Sequence, residues 1–204
     1  MNVAIALNGS NNLNLKLLSD QLNINHWVAS DGGYNTLETY HIKPDIVIGD
    51  MDSINNMQAV ESIIYPANKD VSDGYLALKY CLDNYQDIDH IYIIGVIDDR
   101  RLEHFWNNII SLFDNKVVII TDNNIICYTD KDIKLDYLAN CDYISMFSLT
   151  DISNLSINGA KYEVKHQDYQ ANRFLGLSNE FVNKQSINVT LDSGQLVIFY
   201  SFKE

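Results

Sequence analysis

Basic residues are scarce. Fourteen Lys and Arg stand against 27 Asp and Glu in 204 residues, for a net charge of −13. Such a surface repels nucleic acid and anionic membranes, so neither is an expected partner. A polyanionic ligand such as a nucleotide then needs a divalent cation as intermediary. Cysteine is scarce too. Cys81, Cys127 and Cys141 are odd in number and form no C-x-x-C pair. That fits a reduced, cytoplasmic setting in which they act as small core hydrophobes. No apolar stretch is long enough to span a membrane. The opening MNVAIALNGS has a short apolar run and no basic leader, so it reads as a first strand and not a signal peptide. Neither G-x-x-x-x-G-K-[ST] nor G-x-G-x-x-G occurs, so no glycine-rich phosphate loop is signalled.

Apolar residues make up 47% of the chain, enough for a proper core. Up to about residue 121 short apolar runs alternate with helical patterns. Strands are predicted at 3–7, 26–30, 45–49, 62–67, 90–96 and 116–121. Helices are predicted at 13–22, after Gly33 through Leu37, at 72–85 and at 103–113. In the helix at 72–85, Ala77, Tyr80, Cys81 and Asn84 recur at helical spacing. In the helix at 103–113, Phe105/Trp106, Ile109/Ile110 and Phe113 do so. Continuous β-branched runs suit strands buried on both faces, hence a mostly parallel sheet flanked by helices. Beyond Asp122 the helical period stops. NNIICYTD, YISMFSLT, LSINGAKYEV, SINVTL and GQLVIFYSF read as short strands between Asn, Asp and Gly turns. The expected fold is an α/β domain over 1–121 and an all-β sandwich over 122–204. No Pro- or Gly-rich linker separates them.

Acids follow the strands of the first half. The second strand ends in Asp31-Gly32-Gly33 and the third in Asp50-Met51-Asp52-Ser53. The fourth leads to Asn68-Lys69-Asp70-Val71-Ser72-Asp73. The fifth leads to Asp98-Asp99-Arg100-Arg101-Leu102-Glu103-His104. In an open parallel sheet these loops share the carboxyl edge, where such folds bind ligands. Asp31, Asp50, Asp52, Asp73 and Glu103 are then expected as neighbours. Like charges so close raise one another's pKa or recruit a cation, and this donor set suits Mg²⁺. Each piece alone has a plainer reading. Asp50 and Asp52 suit a solvated turn, Ser72-Asp73 a capped helix start, and Asp31-Gly32-Gly33 a simple turn. Lys69, Arg100 and Arg101 complement phosphate oxygens or pair with adjacent acids. His104 is a general base, a phosphate donor or a structural histidine.

With those loops in place, the chain resembles the thiamine pyrophosphokinase family over nearly its whole length. The matching segments are SDGGYNTL (30–37), KPDIVIGDMDSI (43–54), YPANKDVSD (65–73), IIGVIDDRRLEHFWNNI (93–109), GAKYEV (159–164) and GLSNEF (176–181). The combination of G-D-x-D-S and K-D-x-[ST]-D, in this order, is what makes the likeness specific. It implies a homodimer, with ATP at the strand-end cleft and thiamine at the dimer interface. The implied reaction moves the diphosphoryl group of ATP onto thiamine, giving thiamine diphosphate and AMP with Mg²⁺. The resemblance puts the family's metal-binding aspartates on Asp50, Asp52 and Asp73. Asp31, Asp73, Arg101 and Glu103 carry catalysis. Gly32, Gly33, Asn35, Lys69, Asp70, Ser72 and His104 attend the nucleotide. Tyr162, Ser178 and Asn179 attend thiamine, with core packing as an equal reading for Tyr162.

Two departures from the family pattern fall together. Asp98-Asp99-Arg100 replace Gly-Gly in a loop one residue longer, and Glu103 replaces an aspartate. A shift of about 1 Å at a catalytic group costs about a hundredfold in rate. These departures motivate one alternative, a non-catalytic nucleotide or thiamine binder. Two further rivals are a pterin-alcohol pyrophosphokinase and a dehalogenase-type phosphotransferase using Asp50 as nucleophile. The last would carry its D-x-D on the first strand, whereas this one follows the third.

Overall fold

The structure, a computed structural model, describes every residue except 10, 55–58, 67, 69, 203 and 204. The chain divides into two compact units, Met1–Asp122 and Asn123–Glu204. In the first, the elements follow as β1 (Asn2–Ala6), α1 (Leu15–Leu22), β2 (Ile24–Ser30), α2 (Gly33–Thr39), β3 (Ile46–Gly49) and β4 (Glu61–Ile64). Then come α3 (Asp73–Asn84), β5 (His90–Ile94), α4 (Leu102–Ser111) and β6 (Val117–Ile120). The strand order is β6-β5-β1-β2-β3-β4, and every pairing within it is parallel.

Both faces of this sheet are covered, which is why its strands read as unbroken apolar runs. Ala4, Ala6, Trp27, Ala29 and Val47 pack with Leu15 of α1 and with Tyr34 and Leu37 of α2. The alternate residues Val3, Ile5, Val28, Ile46 and Ile48 are buried as well. They face the other way because strand side chains alternate, and α3 contacts β1, β2 and β3. The helix faces differ in part from the pattern-based expectation. In α3 the buried set is Gly74, Ala77, Leu78 and Cys81, whereas Asn84 is exposed and donates its amide to the Tyr80 carbonyl at 2.9 Å. In α4 Ile109 is buried, followed by Leu112 just past the helix. Trp106 and Ile110 are 43% and 46% exposed.

The order reverses at β1. The chain steps from β1 out to β4, then returns to the other side of β1 with β5. Ligand crevices form at such switch points. Glycines let the two strand ends close on each other. Gly9 donates its N–H to the Gly95 carbonyl at 2.8 Å. Gly95 has φ +70, and a Cβ there would stand 2.4 Å from the Leu7 carbonyl oxygen, so only glycine fits.

The second unit contains β7 (Asn124–Thr129), β8 (Ile133–Leu135), β9 (Cys141–Ser148) and β10 (Ile152–Asn158). After these come β11 (Val164–Tyr169), β12 (Arg173–Asn179), β13 (Ile187–Thr190) and β14 (Leu196–Phe202). β12, β9, β14 and β7 form one antiparallel arrangement, and β11, β10, β13 and β8 another. Ile144, Met146, Leu196 and Ile198 of the first meet Leu155, Ile157, Ile187 and Val189 of the second in one core. That is a sandwich. Strands β8 and β12, and most of β11, are not among the strands expected from the sequence. β8 has three residues, and β11 and β12 lie at sheet edges with mostly exposed side chains.

Candidate active site

The strand ends of the first unit enclose a cavity of about 320 Å³. Asn8 and Gly9 after β1, Asp31 after β2, and Asp50, Asp52 and Ser53 after β3 line it. Ser72, Asp73 and Gly74 at the start of α3 line it too, as do Gly95 and Asp98 after β5 and Arg101, His104 and Asn108 of the α4 region. Arg101, His104 and Asn108 fall on one side of α4 because they are three and four residues apart.

Asp31, Asp50 and Asp52 each offer a carboxylate oxygen within 4.8 Å of the others. Backbone geometry makes this possible. Asp31 has φ +46 and Met51 has φ +67. An aspartate tolerates the left-handed region, but a methionine there is strained unless its surroundings impose it. Met51 packs against the core under α2, which holds the turn and sets Asp50 and Asp52 on either side of it. The Asp52 N–H donates to Asp50 Oδ1 at 3.3 Å, and Ser53 Oγ donates to Asp52 Oδ1 at 3.0 Å. The Asp31 N–H donates to the Ile48 carbonyl at 2.8 Å, tying the loops after β2 and β3 together. Asp31 Oδ1 is buried without a hydrogen-bond partner among the described residues. A buried, unsatisfied carboxylate oxygen beside two more carboxylates suits a hard divalent cation.

Ser72 is both cap and cavity wall: its Oγ accepts from the Tyr75 N–H at 3.2 Å, and Asp73 sits in the first turn of α3. Asp73 lines the cavity but is not a member of the tight carboxylate group. Gly32 and Gly33 are buried backbone positions. A Cβ on Gly33 would meet the Ala6 carbonyl oxygen at 2.0 Å, so α2 can lie this close to β1 only with glycine there. Asn35 spends its amide on the Ser53 carbonyl at 2.8 Å, bracing the loop after β3. Asp70 is exposed and does not line the cavity. Lys69 lies outside the described residues.

The loop after β5 pairs its own charges. Arg100 Nε donates to Asp98 Oδ1 at 3.3 Å, and Arg101 Nε to Glu103 Oε1 at 3.4 Å. The Arg100 N–H holds the Asp98 carboxyl below the usual carboxylate range, helped by the guanidinium and opposed by partial burial. Glu103 was expected among the clustered acids. Its side chain is instead 71% exposed and outside the cavity lining, because its place on the helix turns it away from the side shared by Arg101, His104 and Asn108. Asn8, Gly9 and Asn108 line the cavity although no motif in the sequence singles them out as site residues. The Asn-Gly ending of the first strand was the available signal, and it gained meaning once β1 and β5 proved adjacent.

In the second unit, Asn179 is buried. Its Oδ1 accepts from the Tyr162 N–H at 2.9 Å and its Nδ2 donates to the Tyr162 carbonyl at 2.8 Å. Oδ1 also accepts from the Glu180 N–H at 3.0 Å. The amide is thereby used by the backbone. Tyr162 is 56% exposed in this chain, so it does not pack in the core. Lys161 Nζ lies 5.5 Å from the ring centroid and is held by Glu180 at 2.6 Å. Ser178 has φ +54 and donates its N–H to Ser145 Oγ at 2.9 Å.

Comparison with known proteins accounts for both units. Residues 20–128 match the model of the thiamin pyrophosphokinase catalytic domain, and residues 130–196 that of the thiamin pyrophosphokinase vitamin B1 binding domain. The chain is 28% identical over 179 residues to thiamine pyrophosphokinase of Bacillus subtilis, covering 78% of this chain and 79% of that protein. The crystal structure of the Bacillus subtilis thiamine pyrophosphokinase superposes with a TM-score of 0.85 at 27% identity over all of both chains. That of a thiamin pyrophosphokinase family protein from Enterococcus faecalis gives 0.86 at 21% identity, again over all of both chains, and shows the shared fold. The chain belongs to the thiamin pyrophosphokinase family.

Proposed function

We propose that this chain is a magnesium-dependent thiamine diphosphokinase that moves the diphosphoryl group of ATP onto the hydroxyl of thiamine. The observation that carries this reading is the meeting of Asp31, Asp50 and Asp52 within 4.8 Å, in a cavity that Asp73 and Arg101 also line, in a member of this family. Asp50 and Asp52, with Asp73 at the start of α3, would hold Mg²⁺, and Asp31 stands beside them. The ion, when bound, would supply positive charge that offsets the charge of the phosphate chain. Arg101 steadies the phosphate chain with its guanidinium fork, and Ser72, Gly74 and His104 bound the same space.

In the reaction, the thiamine hydroxyl oxygen bonds to the β-phosphorus. The bond from that phosphorus to the oxygen leading to the α-phosphate breaks, and AMP leaves with the electron pair. The protein contributes mainly alignment and charge. The hydroxyl proton passes to a carboxylate. Asp31 is the better candidate for it than Glu103, because it lines the cavity and Glu103 does not. Thiamine is a cation, so an acidic cavity and an exposed Tyr162 ring both favour it. We assign its rings to Tyr162 and Ser178, with Asn179 holding Tyr162 in place, in a homodimeric, cytoplasmic enzyme. No helix among the described residues is long and apolar enough to cross a membrane.

Incubating the protein with ATP, Mg²⁺ and thiamine is expected to yield AMP and thiamine diphosphate in equal amounts, with no product after chelation of the metal. Release of ADP, or tight ligand binding without turnover, would defeat the proposal. A pterin alcohol that outcompetes thiamine and is itself diphosphorylated would move the assignment to that substrate.

A further inference from the structure

We infer that Glu103 is a positioning residue, which holds the Arg101 side chain from outside the cavity and leaves the ends of its guanidinium available to phosphate. The geometry separates the two residues. Arg101 lines the cavity and Glu103 does not. The contact between them uses Arg101 Nε, at 3.4 Å from Glu103 Oε1. The two terminal nitrogens of Arg101 have no hydrogen-bond partner among the described residues. Those terminal nitrogens form the fork that grips two phosphate oxygens at once.

The charge around the cavity gives such a tether a purpose. Asp31, Asp50, Asp52, Asp73 and Asp98 all line the space, and Arg101 is the sole Lys or Arg doing so among the described residues. A flexible guanidinium beside so many carboxylates is drawn onto them, where it would neutralise the groups a metal ion needs. A carboxylate on the far side of Nε offsets that pull. Glu103 Oε1 also lies 3.8 Å from His104 Nε2, so one oxygen stands between two cavity-lining side chains. The longer side chain at this position thus acts through its neighbours and does not reach the reacting atoms.

This inference rests on the assignment of Arg101 to the phosphate chain, and a double-mutant cycle distinguishes the two. Exposed ion pairs carry up to about a fivefold effect on an equilibrium. Glu103→Ala is therefore expected to lower kcat/KM for MgATP about fivefold, chiefly through KM. Glu103→Gln, which keeps an oxygen acceptor for Nε, should recover most of that loss. Thermal midpoints should not move. In an Arg101→Ala background, Glu103→Ala should cost nothing further. Wild-type kinetics for Glu103→Ala, or full additivity with Arg101→Ala, would overturn the inference and leave the role of Arg101 standing. A collapse of kcat by about a hundredfold or more in both Glu103 variants, with loss of the acidic limb of the pH–rate profile, would make Glu103 the proton acceptor instead. If Arg101→Ala alone behaves as wild type, the phosphate assignment fails and the tether fails with it.

Discussion

Polar side chains at the carboxyl edge of the parallel sheet and those at the edge of the sandwich serve different ends. At the sheet edge, Asp31 keeps a buried oxygen without a partner among the described residues, and Asp50 and Asp52 crowd against it. At the sandwich edge, the buried Asn179 is hydrogen-bonded on both its oxygen and its nitrogen, all to backbone. Burial is comparable in kind, but satisfaction is not. A buried polar group that is fully paired stabilises the fold, whereas one left unpaired is an energetic cost awaiting a ligand. The first region is thus read as chemistry and the second as a scaffold that displays Tyr162.

The largest effect should come from the unpaired side of this contrast. Asp50→Asn or Asp52→Asn removes charge from the carboxylate group proposed to hold Mg²⁺ and is expected to reduce kcat by about 10²–10³-fold, without loss of thermal stability. Near wild-type turnover in either variant would show that the carboxylates are an ordinary acidic turn. Arg101→Ala should follow, lowering kcat/KM for MgATP about tenfold or more through loss of charge-assisted hydrogen bonds. Asn179→Ala should show the opposite signature. Leaving the Tyr162 backbone groups unpaired should cost about 1–3 kcal/mol of stability, seen as a lower melting midpoint. Tyr162→Ala should raise KM for thiamine several-fold with the midpoint unchanged. If Asn179→Ala melts like wild type, the scaffold side of the comparison breaks. The smallest effect concerns Cys81. Burial pushes its thiol up to about 12, so at about pH 8 almost no thiolate is present to react. A thiol reagent should label it only after unfolding, and labelling of the native protein would show that α3 opens locally.

Much of the first unit was legible because its information is local. Runs such as Val47 and Ile48 in β3 or Ile93 and Ile94 in β5 are apolar on successive residues, the mark of a strand covered on both faces. Asp31, Asp50, Asp52 and Asp73 could each be placed after a strand or at a helix start for the same reason. The second unit was less legible at β11 and β12. An edge strand exposes most of its side chains, so Lys165, His166 and Gln167 carry no alternation to detect. The orientation of Glu103 was also beyond reach, since its spacing from Arg101 says which residues neighbour each other along the chain and not which of them faces a cavity.

Residue type and spacing along the chain were enough to place acidic residues after successive strands and an all-β half behind them, because periodic burial and turn chemistry are written in neighbouring residues. Three things needed the folded chain. The return of β5 beside β1 brings Gly9 against Gly95 and makes the cavity. The left-handed turns at Asp31 and Met51 bring three carboxylates together. The exposure of Glu103 separates it from the acids it was expected to join. Each depends on atoms distant in sequence meeting in space, where backbone clearance and the direction of a side chain from its helix decide which groups are left to bind a ligand.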